Sequence, residues 1–277
     1  MKNNLLWIIF DSCRFDSFIS ASTPHISKIG EVEKRYSYAS WTLPSHAVYM
    51  MGVSPHKSPK YVYASEVYKK DFQMWSVRLG IPDISFRGFV PQLSLAAFLK
   101  QQGYKTNALV SLPVLNQTTC LNRHYDRYEL MEHHNDFNAM LDALKFDPEQ
   151  PSFYIMNVGE THYPYTLVGE KAEDLPILHG VHGVFKHMDD DSDEASSDKF
   201  KQLFTGDRMA ALQDKQRKNV EFLDSLFEKL YDIVPENTYL MVTADHGELF
   251  GEDGFFGHGP ILHEKVFEVP FVEGKFK

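Results

Sequence analysis

The stretch Tyr239-Leu240-Met241-Val242-Thr243-Ala244-Asp245-His246-Gly247-Glu248 decides how this 277-residue chain is read. Its first four residues form an unbroken apolar run, the pattern of a buried parallel strand. The run then delivers a carboxylate and an imidazole side by side. Neighbouring side chains on a strand point to opposite faces, so Asp245 and His246 can converge on one ion only where the strand has ended. The carboxyl ends of parallel strands are also where α/β folds place their sites. Gly257-His258-Gly259 follows a little further on. Alone, an Asp-His pair reads equally well as a turn or a helix cap, so the pair needs partners elsewhere in the chain.

Working outward, strands and helices alternate. Leu5 to Phe10 is a second buried run, ending at Asp11, and Phe153 to Val158 is a third. Pro44 to Met51 reads as a helix with Thr42 near its start, because a proline in the first turn sacrifices no needed N–H. Leu93 to Gln102 is helical with Gly103 as its C-cap, and Tyr104 to Val110 returns as a strand. Asn135 to Phe146 reads as a helix. So does Gln213 to Tyr231, with Val220, Leu223, Phe227 and Leu230 at helical spacing. A last strand covers Val269 to Val272. This alternation predicts an α/β fold: a mostly parallel central sheet with helices on both faces.

Composition supports one domain over residues 1–277. A hydrophobic content of 43%, with 21 Phe and 14 Tyr, supplies a large core. Surface insertions are expected near 54–88 and 166–204. Of these, the first is rich in Tyr, Lys and Pro without a firm period, and the second contains the acidic loop Asp189 to Asp198. The net charge of −10 and the lack of a Lys/Arg stripe argue against nucleic acid or an anionic membrane surface as the main partner. No stretch approaches membrane-spanning length. The short apolar run near the N-terminus lacks a signal peptide's cleavage site. Cys13 and Cys120 form neither a metal pair nor a disulfide framework, so the expectation is a reduced, cytoplasmic setting.

Asp11, Thr42, the loop around His162, and Asp245-His246 with His258 all fall at strand ends or a helix start. Such positions share one edge of a parallel sheet. Asp11, Asp245 and His246 offer oxygen and imidazole donors suited to zinc or manganese. Thr42 would complete the set, its hydroxyl acidified by the ion and aimed by the helix. The same helix start favours an anion such as a phosphoryl group. One turn later, His46 lies on the Thr42 face; orienting the nucleophile, touching an anionic substrate and packing in the helix interface all fit it.

These residues carry a resemblance. Over nearly its whole length the chain resembles the sulfatase-like branch of the alkaline phosphatase superfamily. The matching stretches are Ile9-Phe10-Asp11-Ser12-Cys13-Arg14-Phe15-Asp16, Ser40-Trp41-Thr42-Leu43-Pro44-Ser45-His46, His162-Tyr163-Pro164-Tyr165, and Asp245-His246-Gly247-Glu248 with Gly257-His258-Gly259. The resemblance implies a three-layer α/β sandwich. It implies a divalent metal on Asp11, Thr42, Asp245 and His246, zinc or manganese first, with calcium or magnesium as alternatives. It implies Thr42 as nucleophile. His162 and His258 would bind the anionic group, protonate the leaving group or hold a second metal. Asn157 and Glu160 stand nearby as helpers, and Arg14 with Asp16 reads as a structural pair.

Departures from the family narrow the chemistry. True sulfatases carry Cys or Ser where Thr42 stands and Arg where His46 stands. Threonine here resembles the phosphodiesterase-like and phosphoethanolamine-transferase-like members. Two-metal members have an Asp where this chain has Val158, so one tightly held ion is expected. The chain also ends soon after the Val269 strand, before the family's usual C-terminal subdomain, and a neighbouring subunit could stand in for it. The expected function is metal-dependent hydrolysis or transfer of phosphate esters through a phosphothreonine, on a small-molecule, glycan or lipid-type anionic ester. The alternatives are a sulfate-ester hydrolase and a catalytically idle binding module.

Overall fold

The computed structural model describes residues 2–57, 64–171, 185–186 and 205–276. In chain order its strands are β1 (Asn4–Phe10), β2 (Glu33–Tyr36), β3 (Lys105–Val110), β4 (Arg127–Leu130), β5 (Ser152–Val158), β6 (Phe185–Lys186), β7 (Thr238–Ala244), β8 (Leu249–Phe250), β9 (Phe255–Gly257) and β10 (Glu268–Phe276). Seven of them make one sheet in the order β2-β10-β7-β1-β5-β3-β4. The stretch from β7 to β4 is parallel, whereas β10 runs antiparallel to both β7 and β2. A small second sheet pairs β6, β9 and β8.

The seven-residue run of β1 is buried throughout because both faces of the sheet are covered. Leu6, Ile8 and Phe10 face one apolar layer, and Leu5, Trp7 and Ile9 the other. On the first face lie helices α1 (Phe15–Ser20), α5 (Phe137–Asp142) and the long α6 (Gly206–Ile233). Helices α2 (Thr42–Met50), α3 (Ala64–Leu79) and α4 (Leu95–Gln101) cover the second. Each large side chain withdrawn from water here contributes about 1.5–3 kcal/mol. The result is the three-layer α/β sandwich anticipated from the alternation of elements.

Differences from expectation have local causes. Helix α5 is shorter than Asn135 to Phe146. It starts where Asp136 caps it by accepting from Ala139 N at 2.9 Å, and just beyond its end the Tyr154 hydroxyl takes the Lys145 amide at 2.9 Å. Helix α6 begins earlier than Gln213, because Met209 and Leu212 have their own apolar cluster with Tyr165, Phe250 and Phe256. The region 54–88, read from sequence as a surface excursion with some helix, does contain a helix. Its helix α3 buries Phe72, Trp75 and Leu79 in the second core layer, although 58–63 lie outside the described residues. Also outside them are the acidic loop Asp189 to Asp198 and most of the expected insertion 166–204. Cys13 is buried, Cys120 is exposed, and both are free thiols. Among the described residues, no helix is long and apolar enough to cross a membrane.

Candidate active site

The site forms where β1, β5 and β7 stop. Asp11 N still donates to Val158 O at 2.8 Å, continuing the ladder one step, and then Ser12 turns the chain with a positive φ of 60°. From that turn Ser12 N donates to Asp245 Oδ1 at 3.0 Å, tying the ends of β1 and β7 together. The chain leaves β7 through Gly247, whose amide donates to Val266 O at 2.7 Å. A Cβ at position 247 would sit 2.0 Å from Lys265 O, so only glycine lets the two backbones pass.

Asp11, Asp245 and His246 are completely buried, and each offers a ligand atom within 4.8 Å of the others. His246 Nδ1 lies 2.9 Å from Gly247 O. A carbonyl can only accept, so Nδ1 carries the proton and Nε2 presents its lone pair. That Nε2 is 3.4 Å from Asp245 Oδ2 and 3.3 Å from Thr42 Oγ1. Thr42 is the first residue of α2, following an extended Trp41, and only 4% of its surface is exposed. Asn157 Nδ2 donates to Asp11 Oδ2 at 2.8 Å, and Ser12 Oγ reaches Asp11 Oδ1 at 3.1 Å. Asn157, named from the sequence as a helper, thus bonds a cage carboxylate. Glu160 does not: its Oε1 accepts from Phe137 N at 2.7 Å, away from the cage.

Electrostatics mark the cage as built for a cation. Burial pushes the Asp245 carboxyl well above its ordinary range, and the charge of Asp11 pushes it further. For Asp11 burial acts in the same direction, but His162, His246 and the Asn157 hydrogen bond outweigh it and hold its pKa at about 2. Asp245 Oδ2 is buried with no hydrogen-bond partner. An orphaned carboxylate oxygen costs on the order of 1–3 kcal/mol or more unless something pairs with it. Two carboxylates, one imidazole lone pair and one hydroxyl within reach fit zinc or manganese well.

The remaining imidazoles surround this cage. His46 is fully buried, with Nδ1 donating to Thr42 O at 2.9 Å and lying 3.6 Å from Asp245 Oδ2. Burial lowers its pKa and keeps the ring neutral. The ring of His258 lies 4.3 Å from that of His246 and 5.3 Å from that of His162, centroid to centroid. His162 Nδ1 donates to Tyr163 O at 2.7 Å. All six residues expected from the sequence therefore meet at one sheet edge, and His46 lies immediately beneath.

Glu248 was quoted above only as part of a motif, yet it has a distinct place. Its Oε1 is 3.1 Å from His258 Nδ1, and Tyr165 OH donates to its Oε2. Burial raises its pKa to about 7. The spacing Glu248 to His258 gives no periodic signal, since the two meet only through the β8–β9 hairpin. Arg14 and Asp16 form the expected pair, Nε to Oδ1 at 2.8 Å, and Arg14 Nη1 also reaches Glu248 O at 3.3 Å.

A seven-stranded, mostly parallel sheet between two helical layers is a fold this chain shares with solved structures. No protein-family profile and no curated protein matches the sequence. Solved structures do match the fold. The C-terminal periplasmic domain of EcEptC from Escherichia coli aligns with a TM-score of 0.58 at 14% identity, covering 100% of this chain and 73% of that one. The same domain has also been solved in complex with Zn. The C-terminal periplasmic domain of phosphoethanolamine transferase EptC from Campylobacter jejuni gives 0.52 at 13% identity, covering 99% and 79%. BT1596, a 2-O GAG sulfatase, gives 0.58 at 14%, covering 99% of this chain and 64% of its own. Two of these neighbours are periplasmic domains, so they lend the expected cytoplasmic location no support.

Proposed function

We propose that the chain is a metal-dependent enzyme that cleaves or transfers phosphate esters through Thr42. The observation that carries this reading is the position of Thr42 Oγ1, at the first turn of α2 and 3.3 Å from His246 Nε2. A zinc or manganese ion on Asp11, Asp245, His246 and Thr42 would lower the hydroxyl pKa and offset charge on the phosphoryl oxygens. The unpaired Asp245 Oδ2 supports such an ion, and so does the Zn complex of the E. coli neighbour.

The chain's own residues supply the rest. Thr42 Oγ, its hydroxyl proton passed to solvent, attacks phosphorus and forms the Thr42–O–P bond as the bond to the leaving alcohol breaks. The amide N–H groups at the start of α2 face the anion. His258, its Nδ1 held by Glu248, and His162, its Nδ1 held by Tyr163 O, are placed to give the departing alkoxide a proton. Water or an acceptor alcohol then attacks phosphorus and releases Thr42. His46 reads as a positioning group: it is wholly buried and bonded to the backbone of Thr42.

A second reading, sulfate-ester hydrolysis, is favoured by the 2-O GAG sulfatase among the fold neighbours. Threonine at position 42 weighs against it. The test is hydrolysis of an aryl phosphodiester with added zinc or manganese, native protein against Thr42→Ala, with an aryl sulfate alongside. Loss of phosphodiester turnover in the variant is expected, with a phosphoryl mass increment on the native Thr42 peptide. Equal rates would remove the nucleophile assignment, and sulfate turnover alone would favour the second reading. No metal binding and no turnover would leave a binding module.

A further inference from the structure

The apolar stripe of α6 runs back from Leu230 through Phe227, Leu223 and Val220, and its next position on the core side is Gln216. An apolar residue is expected there. Instead a glutamine is buried with no exposed surface, directly behind the site. A buried side-chain amide is costly unless its groups are bonded. Both kinds of group on this one are used. Gln216 Nε2 donates to Ser12 O at 2.9 Å and to Thr161 O at 3.0 Å, and Gln216 Oε1 accepts from Arg14 N at 3.3 Å.

Those three backbone groups belong to two different loops. Ser12 and Arg14 follow β1, beside the cage residue Asp11; Thr161 precedes His162 in the loop after β5. The β1–β5 pairing ends at Phe10 and Val158, with one further bond from Asp11 N. Beyond that point the two chains have no ladder to hold them in register. Side chains take over: Thr161 Oγ1 donates to Asp11 O at 2.7 Å, and one turn along α6 Asn219 Nδ2 donates to Glu160 O at 2.6 Å. Thr161 joins the two loops directly, and Gln216 is the member of this set that lies in neither loop and bonds both.

We propose that Gln216 is a positioning residue that fixes the Asp11 loop relative to the His162 loop, and so sets the distance between the cage and the proton donor. Its hydrogen bonds all go to backbone groups, none to a cage side chain. Its kinetic consequence rests on the phosphate-ester reading above; its mechanical consequence does not.

The test uses the full chain with Gln216→Met, which keeps length but removes the hydrogen bonds. Gln216→Glu, which keeps an acceptor for Arg14 N, serves as a second variant should the first fold poorly. Hydrogen exchange is read at residues 12–14 and 159–162, with β3 and β10 as internal controls. Exchange is expected to rise in both loops together and to stay unchanged in the controls. With an aryl phosphodiester and manganese, kcat is expected to fall about 10–100-fold, the scale of a misplacement of about 1 Å. KM should stay within about 2-fold, because a misplaced proton donor slows chemistry without altering ground-state binding. Unchanged kcat in a folded variant, or loosening of one loop or of the whole molecule, would overturn the proposal. If native protein shows no turnover, the function reading fails while the exchange result still decides the role of Gln216.

Discussion

Two buried charge clusters border the strand β7, and they solve the problem of burial in opposite ways. Away from the site, Glu273 on β10 receives Arg78 Nε at 2.7 Å and Arg35 Nη2 at 3.3 Å. Asp71 and Glu33 take further bonds from the same two arginines. Here the anions are matched by fixed cations, and Arg78 first and then Arg35 bring the Glu273 pKa down against the effect of burial. At the carboxyl ends of β1 and β7, Asp11 and Asp245 face imidazoles and a hydroxyl, with no arginine or lysine among the cage groups. A cluster that neutralises itself reads as structure. One that leaves two carboxylates short of a cation is incomplete until it binds something.

The comparison breaks most visibly at Thr42. Thr42→Ala should lower phosphodiester turnover by about 1000-fold or more, as loss of a nucleophile does, and leave the thermal midpoint close to native. A variant retaining more than a tenth of native kcat would show that the cage serves another purpose. Next in size, Glu273→Ala should cost about 1–3 kcal/mol in denaturant unfolding, because two buried guanidinium groups lose a shared carboxylate and keep only Asp71 and Glu33. Its zinc affinity, read by titration calorimetry, should match that of native protein.

Asp245→Asn should move the other way. With chelator present it should be more stable than native protein by about 1–3 kcal/mol, since it removes a buried carboxyl that must either stay charged or take up a proton to fold. The new amide could also donate to His246 Nε2, which lies 3.4 Å from the replaced oxygen. Added zinc, which should raise the native melting temperature, should no longer do so. A metal-free variant less stable than native protein would contradict the idea of a strained, cation-seeking cage.

Another effect concerns pH. Burial raises the pKa of Glu160 from its usual 4.5 to about 7, so the folded state holds a proton that the unfolded chain releases. Stability should therefore be full below about 4.5 and decline as pH rises toward 7, with a slope on the order of 1 kcal/mol per pH unit. Glu248, also raised to about 7, contributes with the same sign. Glu160→Gln should gain on native protein across that window and hold a constant lead above it. A pH-independent difference between the two would remove the assignment.

Much of this architecture was legible in sequence because β1, β5 and β7 are buried on both faces, and apolar runs ending in Asp or His mark both an element and its end. Thr42 was legible because Pro44 betrays a helix start. Residues acting through the backbone were not. Gln216 carries no chemical signature, and only its place on an otherwise apolar stripe singles it out. Glu248 depends on a hairpin to meet His258. The short strands β2 and β4 are charged edges, where alternation is weak and polar side chains protect the sheet's rim.

The cage draws Asp11, Asp245 and His246 from β1 and β7, adjacent strands at the centre of the sheet, whereas His162 and His258 ride on loops. Seen as a matter of descent, this separates what must be inherited from what can be exchanged. Loop lengths and sequences beyond β5 and β9 could drift or be replaced, while the carboxylates and imidazole just past β1 and β7 stay in place. A lineage with this layout can change its loops without disturbing its cage.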